Sequence, residues 1–172
     1  MDVWEAIRKK RAVRHFTDEP LAEEHLHRIL DAGRRSQSSK NSQPWHFIAV
    51  QDRAMLQQLS QMGDFLGHVA GAALCVVIVI PAENERTIWH FFDTGQSASY
   101  MQLAALEVGV ASCLGTVYKP DELRDLLGFP ADWQARLLIS FGYPDPNRPQ
   151  TGQGTAGRRN FDDVVHMETW SS

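Results

Sequence analysis

The order of elements in this sequence predicts a mixed fold of the α/β or α+β class, with strands and helices alternating along the chain. Three observations carry that reading. Residues 72–80, AALCVVIVI, are apolar on both alternating faces, the pattern of an interior strand covered by helices on each side. Residues 134–142 read as a second interior strand, and shorter apolar runs stand at 45–50 and 110–114. Between these runs lie segments with helical spacing and recognisable caps.

Asp2 caps a first helix with Val3, Ala6 and Ile7 on one side. It runs into RKKRAVRHF, where β-branched Val13 and aromatic Phe16 predict extended chain. Arg8 and Lys9 belong to the helix end and suit its dipole. Arg11 and Arg14 lie past the helix and lack that explanation. Residues 21–35 form a second helix, with Leu26, Ile29, Leu30 and Gly33 at helical spacing and Glu23 and Glu24 in the first turn. His25 and His27 on this helix point in nearly opposite directions and cannot share a metal.

Residues 36–43, SQSSKNSQ, are uncharged except for Lys40 and crowded with hydroxyls and amides. Pro44 drives Gln43 out of the helical region and sets the joint to a buried strand at 45–50. A polar loop held at the lip of a core strand is either a plain connector or a platform for a flat polar ligand. Asp52 opens a third helix with Met55, Leu56, Leu59 and Met62 inward, and a short helical piece is expected within 64–70. Pro81 stops the central run. Residues 87–108 form the longest helix, apolar or small nearly all round, which predicts burial in a core or in a subunit interface.

Gly109 ends that helix. A short strand at 110–114 leads to Gly115 and Thr116. Pro120 starts another helix at its first position, with Asp121 and Glu122 in the first turn, Gly128 past the end, and Leu123, Leu126 and Leu127 inward. After the last strand comes a Pro/Gly-rich arm, 143–157, then Arg158 and Arg159, then the tail DDVVHMETW with enough apolar residues to dock.

The 172 residues suit a single domain spanning 1–172, and 43% hydrophobic with 22% charged residues is a globular balance. A net charge of −4 gives no general case for nucleic acid or a membrane surface. Basic clusters at 8–14 and 158–159 inside an acidic chain point instead to a specific small anion. Cys75 and Cys113 have no metal or disulfide spacing and read as buried thiols. The longest uncharged apolar run, 69–80, is too short to span a bilayer, so a soluble cytoplasmic protein is expected. The sequence holds no G-x-S-x-G elbow, P-loop or H-E-x-x-H, and Gly152-Gln-Gly154 lacks the context of a dinucleotide fingerprint. What remains is a binding kit of arginines, hydroxyls and amides.

That kit resembles a known family. KKRAVRHF near the start, NSQPW before an apolar strand, the small-residue helix at 95–105, LGT at Leu114 and GRR at Gly157 stand in the order of the FMN-dependent nitroreductases. The resemblance implies an α+β fold: a central, mostly antiparallel sheet with helices on both faces, the long helix central, and a two-fold homodimer with FMN at the subunit interface. It implies an NAD(P)H oxidoreductase that reduces nitroaromatics, quinones or similar electrophiles, with NADH or NADPH as electron donor. No protein side chain is expected to be catalytic, since the flavin carries the chemistry.

The resemblance also implies roles. Lys10, Arg11, Ala12 and Arg14 match the segment that binds phosphate, ribityl chain and pyrimidine ring. Arg14 would set positive charge where reduction gathers negative charge. Gln37, Ser38, Ser39 and Asn41 match a loop supplied by the other subunit. Leu114, Gly115 and Thr116 let backbone approach the ring, and Arg159 matches a phosphate-binding base. Arg158 is expected to point away if its segment is extended. Ala12 stands where the family commonly has serine, and Lys10 where arginine is common, so two contacts are weaker here. A flavin carrier or sensor without turnover, or an α/β protein with an anion site only, are the competing readings.

Overall fold

The computed structural model describes residues 1–82, 84–148 and 157–170. The Gly152-Gln-Gly154 stretch and much of the Pro/Gly-rich arm lie outside the described residues.

Strand β2, Leu74–Pro81, is the axis of a four-stranded sheet. It pairs with β1, His46–Val50, on one side and β4, Trp133–Gly142, on the other, and β4 also pairs with β3, Ala111–Thr116. Every pairing is antiparallel, which decides for the α+β class. Helix α4, Thr87–Glu107, connects β2 to β3, strands that are not neighbours in the sheet.

The double-sided apolar pattern of β2 has a direct cause. Val76, Ile78 and Ile80 face one core with Ile29 of α2 (Glu23–Arg34) and Ala98, Met101 and Ala105 of α4. Cys75, Val77 and Val79 face a second core with Leu56 and Leu59 of α3 (Arg53–Leu59) and Leu123 of α5 (Pro120–Leu127). Helices therefore cover both faces, and burying both sets of side chains stabilises the layers at roughly 25 cal/mol per Å² of apolar surface. Gly33 allows α2 and α4 to cross, since a Cβ there would stand 2.0 Å from the Met101 Cε.

Local signals agree with the sequence at most element ends. The Asp2 carboxylate accepts from the Glu5 N–H at 2.7 Å to cap α1, Val3–Lys9. Asp52 does the same for α3, accepting from Met55 N–H at 2.8 Å. Gly128 takes the left-handed cap after α5 with φ 70°. The short piece expected in 64–70 is a 3₁₀ turn, Gly67–Val69.

Three expectations are corrected. Strand β1 is not buried: it is an edge strand paired only with β2, with His46 and Ala49 exposed. Gly115 and Thr116 belong to β3 rather than to a turn after it, paired with Leu138 and Leu137. Helix α4 is not buried all round within one chain. Its Ile88 and Phe92 are 70% and 66% exposed, because α2 and the sheet cover only one side of it. Among the described residues, no helix is long and apolar enough to cross a membrane.

The end of β3 is held from below. Tyr118 N–H donates to the Met62 carbonyl at 2.9 Å, and a Cβ on Gly63 would stand 2.6 Å from the Thr116 carbonyl oxygen. That neighbour is backbone and cannot rotate away. Gly63→Ala is expected to lower stability by about 1–3 kcal/mol, the cost of overpacking, read as a lower Tm. An unchanged Tm would mean that the strand end yields freely.

Candidate functional site

The segment after α1 leaves the helix and lies against the sheet edge. Val13 N–H donates to the Ser112 carbonyl at 3.0 Å, and Ala12 bridges Ser112 in parallel. Further on, Thr17 N–H donates to the Tyr143 carbonyl at 2.9 Å. Buried Val13 anchors this run, as a β-branched residue on a pleated edge should. The run sets Lys10, Ala12 and Arg14 beside β3, whose far end carries Leu114, Gly115 and Thr116.

Electrostatics reports the same neighbourhood. Burial lowers the Lys10 pKa, and Arg11 lowers it further while Cys113 raises it. Burial pushes the Cys113 thiol up, and the charges of Arg14 and Lys10 pull it back. Cys75, fully buried in the second core, is pushed far up and is an inert packing thiol. Both cysteines are free, as expected.

Two grooves flank this segment. One, of about 590 Å³, is lined by Arg14, Phe65, Gly67, His68, Asp145 and Arg148 among others. A second, also about 590 Å³, is lined by Trp4, Ile7, Arg8, Lys9, Arg11 and Arg158 among others. Arg11 donates to the carbonyls of Arg8 and Lys10 at 2.6 and 2.8 Å, and Lys10 Nζ donates to the Arg11 carbonyl at 2.8 Å. Neither Lys10 nor Arg11 has a carboxylate partner among the described residues. Arg158 thus faces the groove from which alternation in an extended segment would turn it. Arg159 donates instead to the Asp163 carbonyl at 2.6 Å, because the chain coils into a 3₁₀ turn at Phe161–Asp163.

The polar loop sits elsewhere. The Asp93 carboxylate, 1% exposed on α4, accepts from the Ser39 N–H with both oxygens, at 3.1 and 3.0 Å. Ser38 Oγ accepts from Gln43 N–H at 2.9 Å. Lys40, Asn41 and Gln43 have φ of 54°, 53° and 47°, so the loop is tightly turned and Gln43 escapes the helical region on the left-handed side. A small cavity of about 130 Å³ here is lined by Ser39, Lys40, Ser42, Arg86, Trp89 and His90. Within one chain the described residues therefore form two groups: Lys10, Ala12, Arg14 and the β3 end in one, and the loop bearing Gln37, Ser38, Ser39 and Asn41 in the other.

Sequence reasoning missed Asp93 and His68. An aspartate inside a long apolar helix was the available signal for Asp93. Nothing local marked His68, whose Nδ1 lies 2.8 Å from Ser140 Oγ across the sheet. Burial, helped by the nearby Arg14 charge, lowers the His68 pKa from 6.5 to about 4. The unfolded chain therefore binds this proton more tightly than the native one. Stability that is complete above pH 6.5 is lost as pH falls toward 4, by on the order of 2–3 kcal/mol at the limit. Denaturant unfolding at pH 7.5 and pH 4.5 should show this, and His68→Gln should flatten it; an equal slope in that variant would place the acid sensitivity elsewhere.

No cluster of three or more metal-ligating side chains stands among the described residues. The architecture is shared with solved proteins. An FMN-dependent nitroreductase from Clostridium difficile superposes with a TM-score of 0.83 at 27% identity, covering 96% of this chain and 98% of that one. A protein of Methanothermobacter thermautotrophicus, named as a candidate NADH dehydrogenase/NAD(P)H nitroreductase, is 30% identical over 176 residues, or 99% of this chain and 88% of its own. An NADH dehydrogenase of Thermus thermophilus is 26% identical over 181 residues, 84% of this chain and 87% of its own. The nitroreductase family model matches residues 7–66 and 64–143, which take in the basic segment, the polar loop, the sheet and the strand end just described. The chain belongs to the nitroreductase family.

Proposed function

We propose that this protein is an FMN-dependent NAD(P)H oxidoreductase that works as a homodimer in the cytoplasm. The observation that carries the reading is the basic segment laid beside the open end of β3. Among the described residues, Lys10 and Arg11 hold their charges against backbone carbonyls, so a phosphate can replace weak partners with charge-assisted ones. Gly115 is buried, and a Cβ there would stand 2.2 Å from the Leu66 Cδ2 of the second core, so only glycine lets the strand end pack this closely. Exposed Leu114 and Thr116 flank it. The residues fit FMN in charge and shape, with Ala12 supplying backbone groups but no hydroxyl.

In this reading Lys10, Arg11 and Arg159 hold the phosphate, with Arg158, which lines the same groove as Arg11, beside them. Arg14 stands at the pyrimidine ring. Leu114, Gly115 and Thr116 support the ring through backbone contacts. Gln37, Ser38, Ser39 and Asn41 reach the ring from a second copy. When bound, FMN supplies reversible hydride chemistry, taking it from NADH or NADPH and giving it to a nitroaromatic, quinone or similar electrophile in a separate encounter. No acid–base side chain is required of the chain, and its task is to bind, orient and exclude water.

The purified protein should be yellow, or take up added FMN, and its colour should bleach anaerobically with NADH or NADPH. A colourless protein that ignores FMN overturns the reading. A yellow protein that neither nicotinamide bleaches is a carrier or sensor. Arg11→Ala should weaken FMN binding ten- to a hundredfold, the worth of about 1.5–3 kcal/mol for a charge-assisted contact, while riboflavin binding stays the same. Equal loss for both flavins would place Arg11 away from the phosphate.

A further inference from the structure

Helix α4 starts against the usual order of charge. A helix N-terminus carries the positive end of the dipole and is stabilised by nearby anions. The first turn of α4 holds no acidic residue, and its N-cap, Arg86, makes no side-chain cap. Glu85 precedes the cap, and among the described residues none of Glu85, Arg86 and Lys40 takes part in an ion pair. The Asp93 carboxylate, further along α4, accepts from the Ser39 N–H with both oxygens. That bond pins the polar loop to the helix. Ser39, Lys40 and Ser42 of the loop then wall one cavity with Arg86, Trp89 and His90. Two cations therefore line one space.

The other walls suit a ligand too. His90 is 7% exposed, and its Nδ1 is buried with no hydrogen-bond partner among the described residues, which is uncommon for a buried polar atom. Trp89 is 55% exposed and offers an apolar ring face beside the cations. The cavity holds about 130 Å³. That is well below the roughly 300–1,000 Å³ that encloses a whole ligand, so it takes one group of a larger molecule.

We infer that this cavity is an anion subsite, in which Lys40 and Arg86 bind the carboxylate of an aromatic electron acceptor and Trp89 lies against its ring. An anion there offsets the like charge at the start of α4 and gives both cations a charge-assisted partner. The inference rests on the flavin reading above, in which this loop reaches the ring from a second copy. It makes aromatic acids the acceptors that the site prefers. Lys40 and Arg86 set specificity, and hydride transfer itself needs neither.

The test compares 4-nitrobenzoate with 4-nitrobenzamide, its neutral counterpart, as acceptors for the full-length flavoprotein at fixed NADH. Arg86→Gln and Lys40→Gln should each lower the acid-to-amide ratio of kcat/KM at least tenfold, through KM for the acid. Arg86→Lys keeps the charge and should recover most of the ratio. A general loss of activity or of flavin cancels in the ratio, so a poorly folded variant does not mimic the result. A ratio that neither glutamine substitution moves overturns the inference and leaves the flavoprotein reading intact. A fall in NADPH-to-NADH preference with the acid-to-amide ratio unmoved also overturns it, and gives the cavity to a nicotinamide phosphate. A protein that binds no FMN and reduces neither acceptor overturns both.

Discussion

If the protein is the proposed homodimer, Gly95→Leu should convert it into monomers and strip the flavin, although nothing among the described residues of one chain opposes a Cβ there. A Cβ on Gly95 meets no atom within 4 Å. In the interior of a helix, glycine costs about 1 kcal/mol relative to alanine, so within one chain the substitution should stabilise α4. The position lies on the same stripe as exposed Ile88, Phe92 and Ser99, spaced by three or four residues. A glycine that costs helix stability and makes room for nothing in its own chain fits the close approach of a second helix. Val3, Trp4 and Ile7 of α1, which touches α4, are also more than half exposed and extend the apolar area. A two-fold axis would meet the leucine twice, so the clash is doubled. The dissociation constant should rise at least a thousandfold, about 4 kcal/mol. Sedimentation equilibrium with flavin absorbance reads both effects. A variant that gains thermal stability and sediments as wild type does would show that this face meets no partner.

Mixing two inactive variants should restore activity. Ser39→Tyr blocks the polar loop, and Arg11→Ala weakens the phosphate end. Within one chain, the described residues place these groups at separate cavities, with Ser39 tied to Asp93 of α4 and Arg11 at the end of α1. If the ring site is completed by a second copy, a mixed dimer carries both lesions at one site and neither at the other. Each homodimer should retain at most a few per cent of wild-type activity, and verified mixed dimers about half, because one of two sites is intact. Activity no higher than in the homodimers would mean that loop and arginine serve one site from one chain.

The two face-by-face cores were legible in the order of residues. Alternation in 74–81 sends even and odd side chains to opposite faces, whatever the strand order. Caps at Asp2, Asp52 and Gly128 were equally local, since each needs only three or four neighbouring residues. The basic segment and the strand end were also legible, as composition and as a resemblance.

Tertiary structure decided what depends on distant partners. That β1 is an edge and the sheet antiparallel follows from pairing, which periodicity cannot read. The sequence left α4 open to burial in a core; only the packing of α2 on one side shows that its Ile88 and Phe92 are bare. Arg158 lines the groove with Arg11, although alternation in a strand would turn it away, because a turn follows it. His68 is tied to Ser140, 72 positions away, and Asp93 to Ser39, 54 positions away. Hydrogen bonds of that span leave no period in the sequence. They arise only when folding brings two buried polar groups together and each must find a partner.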